Sequence, residues 1–152
     1  MDKKFDFIII GGGSSGIVAA SEIISKLNAT VLIIEEGPTD WHPLIKIPAG
    51  VVSFLKKEKF VKHYKTIPQK QLNGRSHYIP QASILGGGSS INGMVYMRGR
   101  PSDYDEWSKS TKEKNWSYQS MLPYFKLVED NNRFYNENHG TGGNLKVSDS
   151  GH

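Results

Sequence analysis

An α/β fold that opens on a βαβ unit is predicted by three features lying in order between Phe5 and Gly37. Two apolar runs, Phe5-Asp6-Phe7-Ile8-Ile9-Ile10 and Val31-Leu32-Ile33-Ile34, read as buried strands. Between them stand a glycine turn, Gly11-Gly12-Gly13-Ser14-Ser15-Gly16, and a helical pattern of apolar residues. The second strand ends on an acidic residue, Glu35.

Each element has a physical reason. Gly11 permits a tight turn at the end of the first strand, and Gly13 has no side chain to keep a ligand from the backbone. Gly16 lets the helix approach the strand closely. Ile17, Val18, Ala20, Ile23, Ile24 and Leu27 recur at steps of three and four, which makes one helical face. Asn28 is a natural stop, because Asn tolerates the left-handed conformation. The amides opening this helix have no partners within it and carry the positive end of its dipole, so they suit a phosphate. Ser14 and Ser15 can add hydrogen bonds. Glu35 follows Gly11 by 24 positions, where a carboxylate accepts from both ribose hydroxyls of an adenosine and repels a 2′-phosphate. The order is that of a Rossmann-like dinucleotide site, and it argues against NADP.

A chain of 152 residues is long enough for one sizeable core. The net charge is +4, with a local cluster at Lys56, Lys57, Lys59 and Lys62 broken by Glu58. That cluster reads as a solvated face, since the interleaving of cations and aromatics that reads bases is missing; no nucleic-acid partner is expected. No cysteine is present, so thiolate chemistry and disulfides are excluded. The start, Met1-Asp2-Lys3-Lys4, runs straight into the first strand, and no apolar stretch approaches a bilayer span. A cytoplasmic location is the default expectation, with peripheral membrane contact left open.

Between Gly37 and Gln81 the pattern is weaker. Trp41, Leu44, Ile45, Ile47 and Val51-Val52 suggest short buried pieces, and Pro38, Pro43, Pro48 and Pro68 argue against long helices or sheet interiors. His42, His63 and His77 lack metal-ligand spacing, so no metal site is expected.

A second glycine cluster runs from Ile84 to Gly99. Gly86 and Gly87, followed by Gly88, allow a compact backbone near a large flat or charged ligand, and Ser89-Ser90 can begin a helix. Asn92 offers donor and acceptor, with Gly93 beside it, while Met94 and Val95 supply an apolar wall. Taken alone, the segment reads equally well as a turn joining core elements. Asp103, Asp105 and Glu106 sit where acidic residues stabilise a helix start, which outweighs a catalytic pairing. Trp116 to Glu129 reads as a capped amphipathic helix with an internal Pro123. Asn131 to Asn144 reads as a surface loop, and Leu145-Lys146-Val147 as a short strand.

Together the two clusters resemble the glucose–methanol–choline (GMC) family of flavin oxidoreductases. The carrying segments are the opening turn, Glu35-Glu36-Gly37, Tyr64-Lys65-Thr66-Ile67-Pro68-Gln69, and Leu85 to Gly99, with Gly88 where a serine is common. Asp103-Tyr104-Asp105, Trp107, Trp116, Tyr118, Leu122-Pro123-Tyr124-Phe125, His139-Gly140 and Gly143 continue it in order. The nearest flavour is a choline- or alcohol-dehydrogenase-like protein.

The resemblance implies FAD as cofactor and hydride transfer from an alcohol, the expected small-molecule substrate. It puts Gly11, Gly13, Ser14, Ser15 and Gly16 at the pyrophosphate and Glu35 at the adenosine ribose. Gly86, Gly87, Ser90, Asn92, Gly93, Met94 and Val95 follow along the cofactor, the last four bordering the flavin ring. Ile91 stands where some relatives carry a histidine that attaches FAD, so the flavin is expected to be noncovalent. Gln81-Ala82 stands where the family often has Arg-Gly, which removes a cation.

Family members are more than three times as long, and their catalytic histidine lies near the far terminus. Residues 1–152 are therefore read as a partial FAD-binding domain, with the dinucleotide unit at 5–37 and the second signature at 84–99, incomplete relative to the full family fold. His139 matches a noncatalytic segment and His152 is merely the last residue, so no catalytic residue is assigned and the piece alone is expected to be inactive. Two further readings stay open: a flavin-dependent lyase or decarboxylase on the same scaffold, and a noncatalytic nucleotide-binding remnant. The electron acceptor stays unassigned.

Overall fold

The computed structural model describes residues 3–54 and 57–149. Met1, Asp2, Lys56 and His152, all invoked above, lie outside the described residues. The chain divides into two compact units, Met1–Val95 and Tyr96–His152.

In the first unit, β1 (Phe7–Ile10), α1 (Ser14–Leu27) and β2 (Val31–Ile34) form the expected βαβ unit. The strands are parallel, in register from Phe7 opposite Val31 to Ile10 opposite Ile34. At the far end of this ribbon the Asp6 carboxylate accepts from the Thr30 amide (2.8 Å) and hydroxyl (2.7 Å). The hydroxyl and amide bonds hold the Asp6 carboxyl below the usual carboxylate range. Asn28 does end α1 in the left-handed conformation (φ 49°), donating its amide to Ile24 O at 3.1 Å. Two strands and one helix cannot cover both faces of the unit. Ala20 is the buried residue of α1, while Ile8, Val18 and Leu27 are exposed and Ile10 is 87% exposed.

The core of this unit lies instead around Phe54, Phe60, Val61 and Ile84, with Leu44, Ile45, Ala82 and Ile91 packed against it. Two 3₁₀ turns, Pro43–Lys46 and Pro48–Gly50, and the single-turn α2 (Val51–Phe54) deliver Phe54 to that core. Proline sits at the start of each 3₁₀ turn, where its missing N–H costs nothing. The expectation of burial fails for Trp41, Ile47 and Val52, which are exposed. One helical turn aims successive side chains in different directions, so it can bury Phe54 but not both valines.

Sequence patterning missed an antiparallel pair, β3 (Val61–Lys65) and β4 (Tyr78–Ala82). Pro80 lies within β4 opposite His63, and a two-stranded ribbon tolerates it because its nitrogen, which carries no hydrogen, can face the free edge. Ser89 and Ser90 do not begin a helix. They close a 3₁₀ turn, Gly87–Ser90, because their hydroxyls bond back to Gly86 O and Leu85 O (2.5 and 2.8 Å).

The second unit holds α3 (Pro101–Thr111), α4 (Tyr118–Val128) and a parallel pair, β5 (Glu129–Asn131) with β6 (Leu145–Val147). Asp103 opens α3 by accepting the Arg100 amide at 2.9 Å, and Asp105 accepts the Tyr118 amide at 3.1 Å, so both carboxylates serve helix ends. Ser117 caps α4. Pro123 within α4 is exposed, where solvent can satisfy the carbonyl it frees. Asn131, expected at the head of a surface loop, is instead buried in β5.

Candidate functional site: two glycine clusters at one helix end

The first glycine turn is built by backbone geometry. Gly11 adopts φ +101°, a region L side chains rarely enter. A Cβ on Gly16 would lie 2.1 Å from Gly11 O, so only glycine lets α1 start this close to β1. A Cβ on Gly13 would find Gly87 Cα at 3.9 Å and nothing nearer, which leaves the helix entrance open. No side chain caps α1 and no acidic residue lies in its first turn. Its first internal bond is the Ile17 amide onto Gly13 O (3.0 Å), so the amides of Ser14, Ser15 and Gly16 are those the helix itself leaves without acceptors.

The second cluster lies directly against the first. The Gly86 amide donates to Gly12 O at 2.7 Å, and Gly13 and Gly86 form a parallel bridge. A Cβ on Gly87 would sit 2.8 Å from Gly13 Cα, and Gly87 itself has φ +57°. Gly12, overlooked between its two neighbours, is buried: a Cβ there would meet Leu85 Cδ1 at 2.8 Å and Glu35 Cβ at 3.3 Å. Gly88 faces open space, so the serine common at this position would fit.

Glu35 stands at the same corner, partly buried. One carboxylate oxygen accepts the Gly12 amide at 2.7 Å and the other accepts the Gly37 amide at 2.8 Å. Each oxygen therefore keeps a lone pair for a further donor. Gly37 is needed here, because a Cβ would come within 2.2 Å of the Ser83 carbonyl.

Beyond Ser90, Asn92 accepts the Met94 amide at 2.6 Å and donates to Ser89 O at 3.1 Å. That turn holds Met94 at φ +56°, an uncommon conformation for a long side chain. Asn92, Gly93, Met94 and Val95 are all exposed, and a Cβ on Gly93 would meet nothing within 4 Å.

The second unit holds a polar cluster that sequence reasoning did not find. Glu129 is 0% exposed. One of its oxygens accepts from Arg98 and from the Gly140 amide (3.1 Å); the other accepts from Asn131 (2.7 Å) and faces His139 Nδ1 (2.9 Å). Burial pushes the Glu129 carboxyl up, but the bonds from Asn131, His139 and Gly140 and the Arg98 charge outweigh it and hold it below the usual range. Arg98 also donates to Tyr96 and to Asn138 O. Gly140 and Gly143 let the loop press on the end of α4, since Cβ atoms there would lie 1.9 Å from Lys126 O and 2.4 Å from the Val128 carbonyl carbon. A glutamate just past a helix normally faces water, so nothing local marks Glu129 as buried.

Residues 5–152 match the GMC oxidoreductase family. The chain belongs to it. This GMC chain is 41% identical over 146 residues to the alcohol dehydrogenase (acceptor) of Pseudomonas putida, covering 95% of the chain and 26% of that protein. It is 40% identical over 131 residues to an oxygen-dependent choline dehydrogenase of Staphylococcus saprophyticus, covering 85% and 23%. Among solved structures, pyridoxine 4-oxidase from Mesorbium loti superimposes with a TM-score of 0.84 at 32% identity, covering 94% of this chain and 28% of that one. The chain thus spans about a quarter of the length of the relatives it matches, and corresponds to the Rossmann-like, FAD-binding N-terminal part of the GMC fold. Among the described residues, no helix is long and apolar enough to cross a membrane.

Proposed function

We propose that residues 1–152 hold FAD noncovalently as the cofactor-binding part of an enzyme that oxidises a small alcohol. The observation that carries this reading is the pairing of both glycine clusters at the uncapped end of α1, with Glu35 beside them. The fit is physical: open backbone at Gly13, amides without helical acceptors, and a carboxylate with lone pairs to spare.

In this reading Gly11, Gly13, Ser14, Ser15 and Gly16 receive the pyrophosphate, where the helix dipole favours negative charge. Glu35 accepts from the adenosine ribose while keeping the Gly12 and Gly37 amides. Gly86, Gly87 and Ser90 line the cofactor beyond, and Asn92, Gly93, Met94 and Val95 border the flavin ring. When bound, FAD supplies an acceptor for the hydride leaving the alcohol carbon. This chain's residues orient and hold; we assign no base among them. His42 accepts the Leu44 amide and packs its ring on Phe54 and Phe60, and His139 is engaged by Glu129. Noncovalent attachment is supported by Ile91, an alkyl side chain that packs against the core.

The test is cofactor uptake by the full-length protein carrying this chain, followed by anaerobic mixing with primary alcohols. The expected result is flavin absorbance that bleaches with alcohol, and uptake reduced at least tenfold by Gly13→Val. A well-folded protein with no flavin, or uptake indifferent to Gly13→Val, overturns the proposal.

A further inference from the structure

We infer that Asn92-Gly93 is a site of spontaneous covalent modification, where the Asn92 side chain loses its amide, and that the fold holds the chain's other Asn-Gly pair, Asn73-Gly74, unreactive. The Gly93 backbone nitrogen attacks Asn92 Cγ, and the new C–N bond closes a succinimide. The bond from Cγ to Nδ2 breaks, and that nitrogen leaves as ammonia with the proton given up by Gly93. Water then opens the ring at either carbonyl, giving aspartate or isoaspartate. No oxidant, metal or cofactor enters the balance.

Several requirements are common to both pairs. All four residues are exposed, and a Cβ on Gly74 or Gly93 would meet nothing within 4 Å. The hydrogen on the attacking nitrogen separates them. The Gly74 amide donates to Gln69 O at 3.0 Å, while Asn73 is fixed in the left-handed region (φ 53°) with its own amide on Lys70 O at 3.3 Å. The Gly74 nitrogen must break its bond before it can lose a proton and turn on Cγ. Among the described residues, the Gly93 amide donates to no acceptor.

The carbon under attack is prepared as well. The Met94 amide donates to Asn92 Oδ1 at 2.6 Å, so it polarises the Cγ carbonyl and supports the oxygen as it gains negative charge. The ring closed by this bond contains both Cγ and the Gly93 nitrogen, which keeps the reacting atoms in one turn. Nδ2 donates to Ser89 O at 3.1 Å, a bond lost as the nitrogen departs. The product carries a negative charge between Ser90 and Met94, and isoaspartate also lengthens the backbone there.

The experiment is peptide mapping by mass spectrometry of the full-length protein carrying this chain, dialysed free of flavin and held at mildly alkaline pH. Circular dichroism verifies that the sample is folded. The urea-unfolded chain, in which neither pair has a tertiary partner, supplies the intrinsic rate of each. The expected result is conversion of Asn92 at close to its unfolded rate, with Asn73 slowed about tenfold by the bond that holds Gly74. Gly93→Ala should slow conversion at Asn92 about tenfold, because a methyl group then shields the nitrogen, and leave Asn73 unchanged. Equal protection of the two pairs, faster conversion at Asn73, or conversion at Asn92 undiminished by Gly93→Ala overturns the inference. The readout is chemical change in the chain itself, so it stands or falls separately from the proposed function.

Discussion

Arg98 ion-pairs with Glu129 inside the second unit, and the Glu129 carboxylate reaches no solvent there. Four donors surround that carboxylate, so its burial depends on all of them being present. Removing one partner of such a pair leaves an uncompensated charge behind. Glu129→Ala should therefore cost about 3 kcal/mol in urea unfolding, and Arg98→Ala a similar amount. A loss within experimental error for both would show that the cluster contributes nothing to stability.

The same cluster sets a pH response. The Glu129 carboxyl is held below its ordinary range in the folded state, so the folded protein resists protonation more than the unfolded chain does. Its contribution is complete above the ordinary carboxylate value, declines below it, and is gone once pH falls under the folded value. Melting temperature should drop across that acidic window, and Glu129→Gln should flatten the drop attributable to this group. An unchanged pH profile in the variant would contradict the assignment.

Gly87 and Gly88 make a direct contrast. Gly87→Ala places a Cβ 2.8 Å from Gly13 Cα at φ +57°, whereas Gly88→Ser enters open space. The first should weaken FAD binding at least tenfold and destabilise the fold by about 1–3 kcal/mol. The second should stay within about 0.5 kcal/mol. Titration of both variants with FAD, followed by flavin fluorescence, checks the pair; equal behaviour would disprove the packing argument.

Glu35→Ala removes the acceptor of two backbone amides, Gly12 and Gly37, as well as the proposed ribose contact. Stability should fall by about 1–3 kcal/mol and FAD affinity by more than the stability change alone explains. Comparing FAD with riboflavin, which lacks the adenosine half, separates the two effects: Glu35→Ala should penalise only FAD if the ribose contact exists.

The apolar face of the βαβ unit should bind a hydrophobic dye when these 152 residues are studied alone. Ile10 is 87% exposed, with Ile8 also bare on the same side of β1. Ile10→Thr should lower dye fluorescence and slow aggregation without lowering the melting temperature. A chain that binds no dye would show that this face is covered in solution.

Much of this was legible along the chain because its causes are local. The periodicity of Ile17 to Leu27, the left-handed stop at Asn28, the cap at Ser117 and the conformational demand on Gly11 each depend on residues a few positions apart. The order of strand, glycine turn, helix and Glu35 gave the dinucleotide unit for the same reason. Gly12, Gly37, Gly140 and Gly143 are different: each is glycine because a distant stretch of backbone or side chain occupies the space of its Cβ. Trp41, Ile47 and Val52 were expected inside and lie outside, since hydrophobicity states a preference and only packing decides who is buried. By itself, then, the sequence determined the βαβ opening and the residues able to face a phosphate. Tertiary structure decided that Gly86 closes against Gly12 and that Glu129 is sealed with Arg98, His139 and Asn131. Both depend on contacts between residues far apart in the chain, and no local pattern encodes such a meeting.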